Sequence, residues 1–314
     1  MKLPRPLEGF DSKETVDKLL QWGKRLATSA KLRESDAGAL IIRDVFAIYC
    51  NGLDWKISIS DDVQSDYFSS DLSPKCSNNG LFINSICGEI SKRLKTLQSL
   101  FESMKISDIV NGLVSPSSTQ SNEVRDIPYC HGLFVSLKYC LMSLKALIDN
   151  NSSDESWQNI FRCIYALSVD GLKIAMTVVA EASSDVVFAI SVGTNETTPT
   201  KGPVNSSISM SASYVNANST IGGGIDDENH ESDVQGAVVA AWLLVKESVS
   251  MLAFLIEISP VTTSVSTKQS SLLPYDDVYQ AGFIILDALG RLKHMGAIAE
   301  AHLALQSISS TMLR

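Results

Sequence analysis

The segment Leu81-Phe-Ile-Asn-Ser-Ile-Cys-Gly-Glu-Ile-Ser-Lys-Arg-Leu-Lys-Thr-Leu-Gln-Ser-Leu-Phe-Glu-Ser-Met104 decides the fold class. Ile86, Ile90, Leu94, Leu97, Phe101 and Met104 step by four and three residues, the spacing that puts side chains on one stripe of an α-helix. A half-buried strand would alternate by two, and nothing here does. The other face carries Lys92, Arg93 and Lys95, the most basic short cluster in the chain.

The same period recurs on both sides. Asp11-Ser-Lys-Glu14 is a capping-box-like helix start, after which Val16, Leu19, Leu20, Trp22, Leu26 and Ala30 fit one helical face. Glu34 to Tyr49 reads as a second helix, with Ser35 or Asp36 at its start and Leu40, Val45, Ile48 and Tyr49 inward. The two are expected to pack as an antiparallel hairpin. Polar stretches around Asp61 to Asn79 and Ser115 to Asp126 read as loops. In Gly132 to Asp149, Phe134, Leu137, Leu141, Leu144 and Ile148 form one stripe, and Glu155 to Ala182 is apolar on nearly all sides, as expected of a helix between layers. Val186 to Ile190 has the composition of a short strand, but its helical neighbours favour helix continuation or buried coil. Helices are also expected over Gly236 to Glu257, Asp276 to Leu289 and Gly296 to Thr311, with a Ser/Thr-rich loop containing Pro260 between the first two.

These segments predict an all-α protein, an irregular α-solenoid of HEAT or armadillo-like helical repeats, with a compact helical bundle as the structural competitor. Residues 1–192 form the first part of the repeats and 235–314 the second. Between them, residues 193–234 turn to Ser, Thr, Asn, Gly and acidic side chains, a composition that predicts a disordered insertion.

Composition excludes several function classes. With 314 residues and 45% hydrophobic side chains the chain can bury a sizeable core. A formal charge of −9 argues against a free-standing nucleic-acid binder, though not against a local basic face. The six cysteines include no Cys-x-x-Cys pair and suit reduced thiols in the cytoplasm better than a disulfide framework. The amino terminus lacks an apolar core of signal-peptide length. The uncharged run Gly236 to Val245 falls short of the roughly 18–20 residues that span a bilayer.

Catalytic and metal-binding patterns are thin. Cys130 and His131 are adjacent, but neighbours on a helix point about 100° apart, so adjacency alone does not make a nucleophile and base. The plainer reading is a helix-start histidine beside a buried thiol. His294 and His302 are eight residues apart, too far to chelate one ion alone. Gly222-Gly-Gly224 lacks the Lys-Ser/Thr of a phosphate loop and has no preceding strand. No Gly-rich turn after a strand offers a cradle for S-adenosylmethionine or a dinucleotide, so no cofactor is expected on this chain. Lys246-Glu247 interrupts an apolar helix, where each charge must reach solvent or find a partner in a polar seam.

Four blocks carry a resemblance. Lys31-Leu-Arg-Glu-Ser-Asp-Ala-Gly-Ala39, Pro128-Tyr-Cys-His-Gly132, Trp242-Leu-Leu-Val-Lys-Glu-Ser248 and Leu292-Lys-His-Met-Gly-Ala297 resemble, in order and approximate spacing, blocks of the thyroid-adenoma-associated (THADA) family and its fungal tRNA 2′-O-methyltransferase regulatory subunits. Lys293 stands where that family has another basic residue, and the Arg-Arg-Ser-Ala-Gly-Leu-Pro block that would follow is missing. The resemblance implies a fragment of a longer helical-repeat protein.

It also implies a non-catalytic accessory subunit that directs an FtsJ-like methyltransferase to the 2′-hydroxyl of nucleotide 32 in the tRNA anticodon loop, with S-adenosylmethionine held by that enzyme. Arg33, Asp36, His131, Lys246, Glu247, Lys293 and His294 are the matching positions, expected to touch RNA or a partner or to hold structure. Asp36 is expected to cap a helix, Gly38 and Gly132 to permit close packing, and Trp242 to anchor a helix interface. Arg33, Lys246 and Lys293 are the candidates for phosphate. The rival reading is a protein-interaction scaffold with no RNA role, which the acidic balance favours; a hydrolase using Cys130 or His131 ranks last.

Overall fold

A computed structural model describes residues 5–60, 77–104, 127–145, 148, 155–180, 228–259, 272–293 and 295–312. The described residues are helical with connecting turns and contain no strand. The helices are α1 (Lys13–Ala27), α2 (Leu32–Val45), α3 (Asn78–Met104), α4 (His131–Ser143), α5 (Glu155–Val179), α6 (Glu228–Ile258), α7 (Tyr275–Arg291) and α8 (Met295–Met312). A π-helical turn, Phe46–Gly52, extends α2.

Helix α1 starts one residue later than the Asp11-Ser-Lys-Glu14 box predicts, with Ser12 as the cap: its hydroxyl accepts from the Thr15 N–H at 3.3 Å, and the Thr15 hydroxyl donates to the Ser12 carbonyl at 2.8 Å. Its inward residues are Val16, Leu20, Gly23 and Ala27, spaced four, three and four; Trp22 and Ala30, expected inward, are exposed. Helix α2 begins earlier than expected, at Leu32 after Lys31, and this places Asp36 inside the first turns instead of at the cap. Ser35, Gly38, Ala39, Ile42 and Val45 face inward, while Leu40 is exposed. The hairpin forms because both inward faces carry small residues. A Cβ on Gly38 would collide with the backbone of Ala27 and Gly23, so α1 and α2 touch backbone to backbone there.

In α3, Ile86, Ile90, Leu94, Leu97 and Phe101 are buried as their spacing predicts, together with Phe82, Ile83 and Cys87. Each such side chain withdrawn from water contributes roughly 1.5–3 kcal/mol. Helix α5 packs against α3 on one side and α6 on the other, the layered position its two-sided apolar surface requires. Helix α6 also contacts α4, α7 and α8, and α7 and α8 form a second hairpin.

The structure carries α6 back to Glu228, into the stretch read as insertion; residues 193–227 lie outside the described residues. So do Val186 to Ile190, Gly222–Gly224, Cys76 and His294. The helix also continues past Lys246-Glu247, so Gly236–Ile258 is long and apolar enough to cross a membrane by length and composition. It lies 78% buried among its neighbours, which accounts for its apolarity within the fold.

Candidate functional site

The block Ile127-Pro-Tyr-Cys-His-Gly132 is the junction of the molecule. Cys130 stands just before α4 and His131 is its first residue. The Arg93 guanidinium of α3 donates to the Tyr129 carbonyl at 3.2 Å, and the Tyr129 hydroxyl donates to the Gly236 carbonyl of α6 at 3.3 Å. A Cβ on Gly132 would strike the Ala27 carbonyl, so the start of α4 presses directly on the end of α1. Helices α1, α3, α4 and α6 thus meet around six residues.

His131 is buried, and its Nε2 lies 2.9 Å from the Ser35 Oγ of α2. The Ser35 hydroxyl spends its one proton on the Leu32 carbonyl at 2.9 Å, so Oγ faces the ring as an acceptor. The ring therefore carries its proton on Nε2 and donates to Ser35, leaving Nδ1 a buried acceptor without a hydrogen-bond partner. Burial, helped by the charge of Lys246, pulls the His131 pKa down to about 4. The imidazole is neutral at pH 7.

Lys246 links this ring to two carboxylates. Its ammonium lies 3.5 Å from Glu247 Oε1, and its charge lowers the pKa values of Asp36 and Glu247 against the larger upward push of burial. Lys138 also favours the charged form of Glu247, and Glu300 opposes it. The structure thus sets His131 of α4 beside Lys246 and Glu247 of α6 in a polar seam, with Asp36 of α2 exposed at its rim, within reach of the Lys246 charge. It resolves the Lys246-Glu247 alternative: Glu247 is buried, and Lys246 is half-buried beside it. Next to the seam, Lys138 Nζ donates to Ser250 Oγ at 3.0 Å and sits 5.6 Å from the Phe254 ring centre. These residues and Glu257, Glu300 and Leu303 line a shallow cleft of about 190 Å³.

Other expected positions lie elsewhere. Arg33 is exposed on α2, and Lys293 is exposed in the turn between α7 and α8. Asp36 does not cap, because its helix begins four residues earlier. Trp242 is half-buried against the core, as an interface anchor should be. His302 is exposed on α8.

Nucleophile chemistry at Cys130-His131 finds no support. Burial pushes the Cys130 thiol up to about 12, so thiolate and imidazolium are both disfavoured at neutral pH. Among the described residues no group of three His, Cys, Asp or Glu side chains could hold a metal ion.

One network escaped the sequence reading. Glu89 of α3 is buried and pairs with Lys24 of α1 at 2.9 Å and with Arg93 at 3.0 Å. Burial alone would raise its pKa, but Lys24 and Arg93 more than offset this and hold it below the usual range. A signal was there: Glu89 falls between Ile86 and Ile90 on the inward stripe, where a lone charge needs a partner. Arg93 is consequently engaged in structure, while Lys92 and Lys95 are exposed.

Fold and seam together define an all-helical protein whose best-built polar site joins helices. The family described as THADA/TRM732, DUF2428 matches residues 139–314, more than half of the chain, and the chain belongs to that family. Membership points to a role related to tRNA modification, in association with a tRNA methyltransferase system. Lys246, Glu247, Lys293 and His294 fall inside the matched span; Arg33, Asp36 and His131 precede it. No curated protein and no solved structure matches the chain.

Proposed function

We propose that this chain is a non-catalytic accessory subunit that directs an FtsJ-like methyltransferase to 2′-O-methylate nucleotide 32 of the tRNA anticodon loop, in the cytoplasm. The observation that carries the reading is the family match over residues 139–314. The structure adds a physical rationale. Three of the four resembling blocks, separated widely in sequence, meet in the α2–α4–α6 seam, as expected of positions that hold a helical array in register. In this reading the helices form a HEAT or armadillo-like surface that grips an L-shaped RNA by shape and phosphate contacts, while the partner enzyme binds S-adenosylmethionine. Exposed Arg33 and Lys293 are the better phosphate contacts; Lys246 is held by Glu247 and serves the seam.

The test is purification of the chain with an FtsJ-like methyltransferase from the same source, followed by mapping of 2′-O-methylation on unmodified tRNA. Methylation at nucleotide 32 that depends on the chain is the expected result. Stable association with other proteins, with no tRNA binding at low salt and no effect on methylation, would replace the proposal with a plain scaffold. Phosphate contacts must also show affinity falling steeply with salt, which an apolar protein interface does not.

A further inference from the structure

The cleft beside the seam runs along two helices. Ser250, Ala253, Phe254 and Glu257 line it from α6, and Glu300, Leu303, Ala304 and Ser307 line it from α8, with the same three-and-four spacing on both. Two turns of helix make it about 10 Å long. Helix α6 packs between α4 and α8 and forms the floor, where Ala253 and Phe254 are buried. The walls stand higher: Leu303 of α8 is 58% exposed, and Met142 of α4, one turn beyond Lys138, is 54% exposed.

Charge in this groove is unbalanced. Glu257 and Glu300 make no ion pair among the described residues. The cation beside them, Lys138, is already anchored on Ser250 Oγ and over the Phe254 ring. Glu300 also opposes the charged form of buried Glu247, so a further cation at that end relieves two carboxylates. An apolar floor with a carboxylate on α6 and another on α8 suits a segment whose apolar side chains seat on Phe254 and Leu303 and whose basic side chains reach Glu257 and Glu300. A phosphate backbone would be repelled there.

We propose that the α4–α6–α8 groove is where this chain takes up its partner methyltransferase, through a basic amphipathic helix of that enzyme. The inference rests on the accessory-subunit reading and adds the place and chemistry of the contact. An enzyme that works on tRNA must carry lysine- and arginine-rich surface, and a chain of net charge −9 attracts it.

Calorimetric titration of the full chain with the FtsJ-like methyltransferase from the same source, at several salt concentrations, tests this. Glu257→Arg with Glu300→Arg should weaken binding by about tenfold or more and flatten its salt dependence. Leu303→Ser should weaken binding while the salt dependence stays. Glu8→Arg with Glu102→Arg, the same charge change on exposed residues elsewhere, should leave binding nearly unchanged. Glu257 and Leu303 are exposed, so Glu257→Arg and Leu303→Ser taken singly should keep the melting temperature of the unmodified chain, which separates a lost contact from a lost fold. Enzyme binding and nucleotide 32 methylation that are indifferent to every groove variant overturn the groove and leave the accessory reading standing. Groove variants that change tRNA affinity but not enzyme affinity overturn it in favour of an RNA face. An unmodified chain that binds no enzyme overturns both readings together.

Discussion

At the scale of single residues, the buried ionisable groups couple stability to pH. His131 has a folded pKa of about 4, below the ~6.5 of an unfolded imidazole, so the unfolded chain takes up the proton first. The stability contributed by the neutral ring is complete above about pH 6.5 and is lost as pH falls toward 4, by on the order of 3 kcal/mol at the limit. Glu247 acts in the opposite direction: its pKa is raised by burial, so the folded state protonates first and its contribution grows as pH falls. Urea unfolding at pH 7 and pH 5 should show a loss at pH 5 that His131→Gln removes; an unchanged pH slope in that variant would reject the assignment. Glu89 offers a second test. Glu89→Gln leaves two cations beside a neutral buried amide and should cost about 3 kcal/mol. A change in stability below 1 kcal/mol would mean that Lys24 and Arg93 simply turn to solvent.

At the scale of elements, glycines of the same type have opposite roles. Gly38 and Gly132 lie where a helix touches the backbone of α1, whereas Gly282 and Gly290 face open space. Gly38→Ala should destabilise by about 1–3 kcal/mol or more through overpacking, and Gly282→Ala should stabilise by about 0.5–1 kcal/mol through helix propensity alone. Thermal melts of the two variants must therefore move in opposite directions. Sequence could mark all four as glycines within or beside helices. Only the packed neighbours separate them, since the crossing of α1 by α2 and α4 is not encoded within any one segment.

At the scale of the whole molecule, the core protects the chain's thiols. Cys50, Cys87, Cys130, Cys140 and Cys163 are free and buried, and burial pushes Cys50 and Cys130 up to about 12. A thiol reagent at neutral pH should modify these five slowly in the native chain and rapidly in denaturant, with Cys76 read out separately by mass spectrometry. Fast native labelling of Cys87 or Cys163 would mean that α3 and α5 separate readily. The same core accounts for Gly236–Ile258, whose hydropathy alone would allow a membrane span but whose surface is spent on α4, α5 and α8.

The sequence by itself determined the all-α class, because helical period is a local property that Ile86 to Phe101 and Phe134 to Ile148 display without reference to anything distant. It also carried the resemblance to the family whose model matches residues 139–314. It misjudged Trp22, Leu40 and the cap at Asp36, where several faces or starts satisfied the same local rules and only the packed neighbour selects among them. The seam of His131, Lys246 and Glu247 with Asp36 at its rim, the Ser35 acceptor and the Glu89 network belong to the tertiary structure alone. Each depends on side chains from helices far apart in sequence, and their positions, charge states and partners are set by burial and crossing geometry that no local spacing specifies.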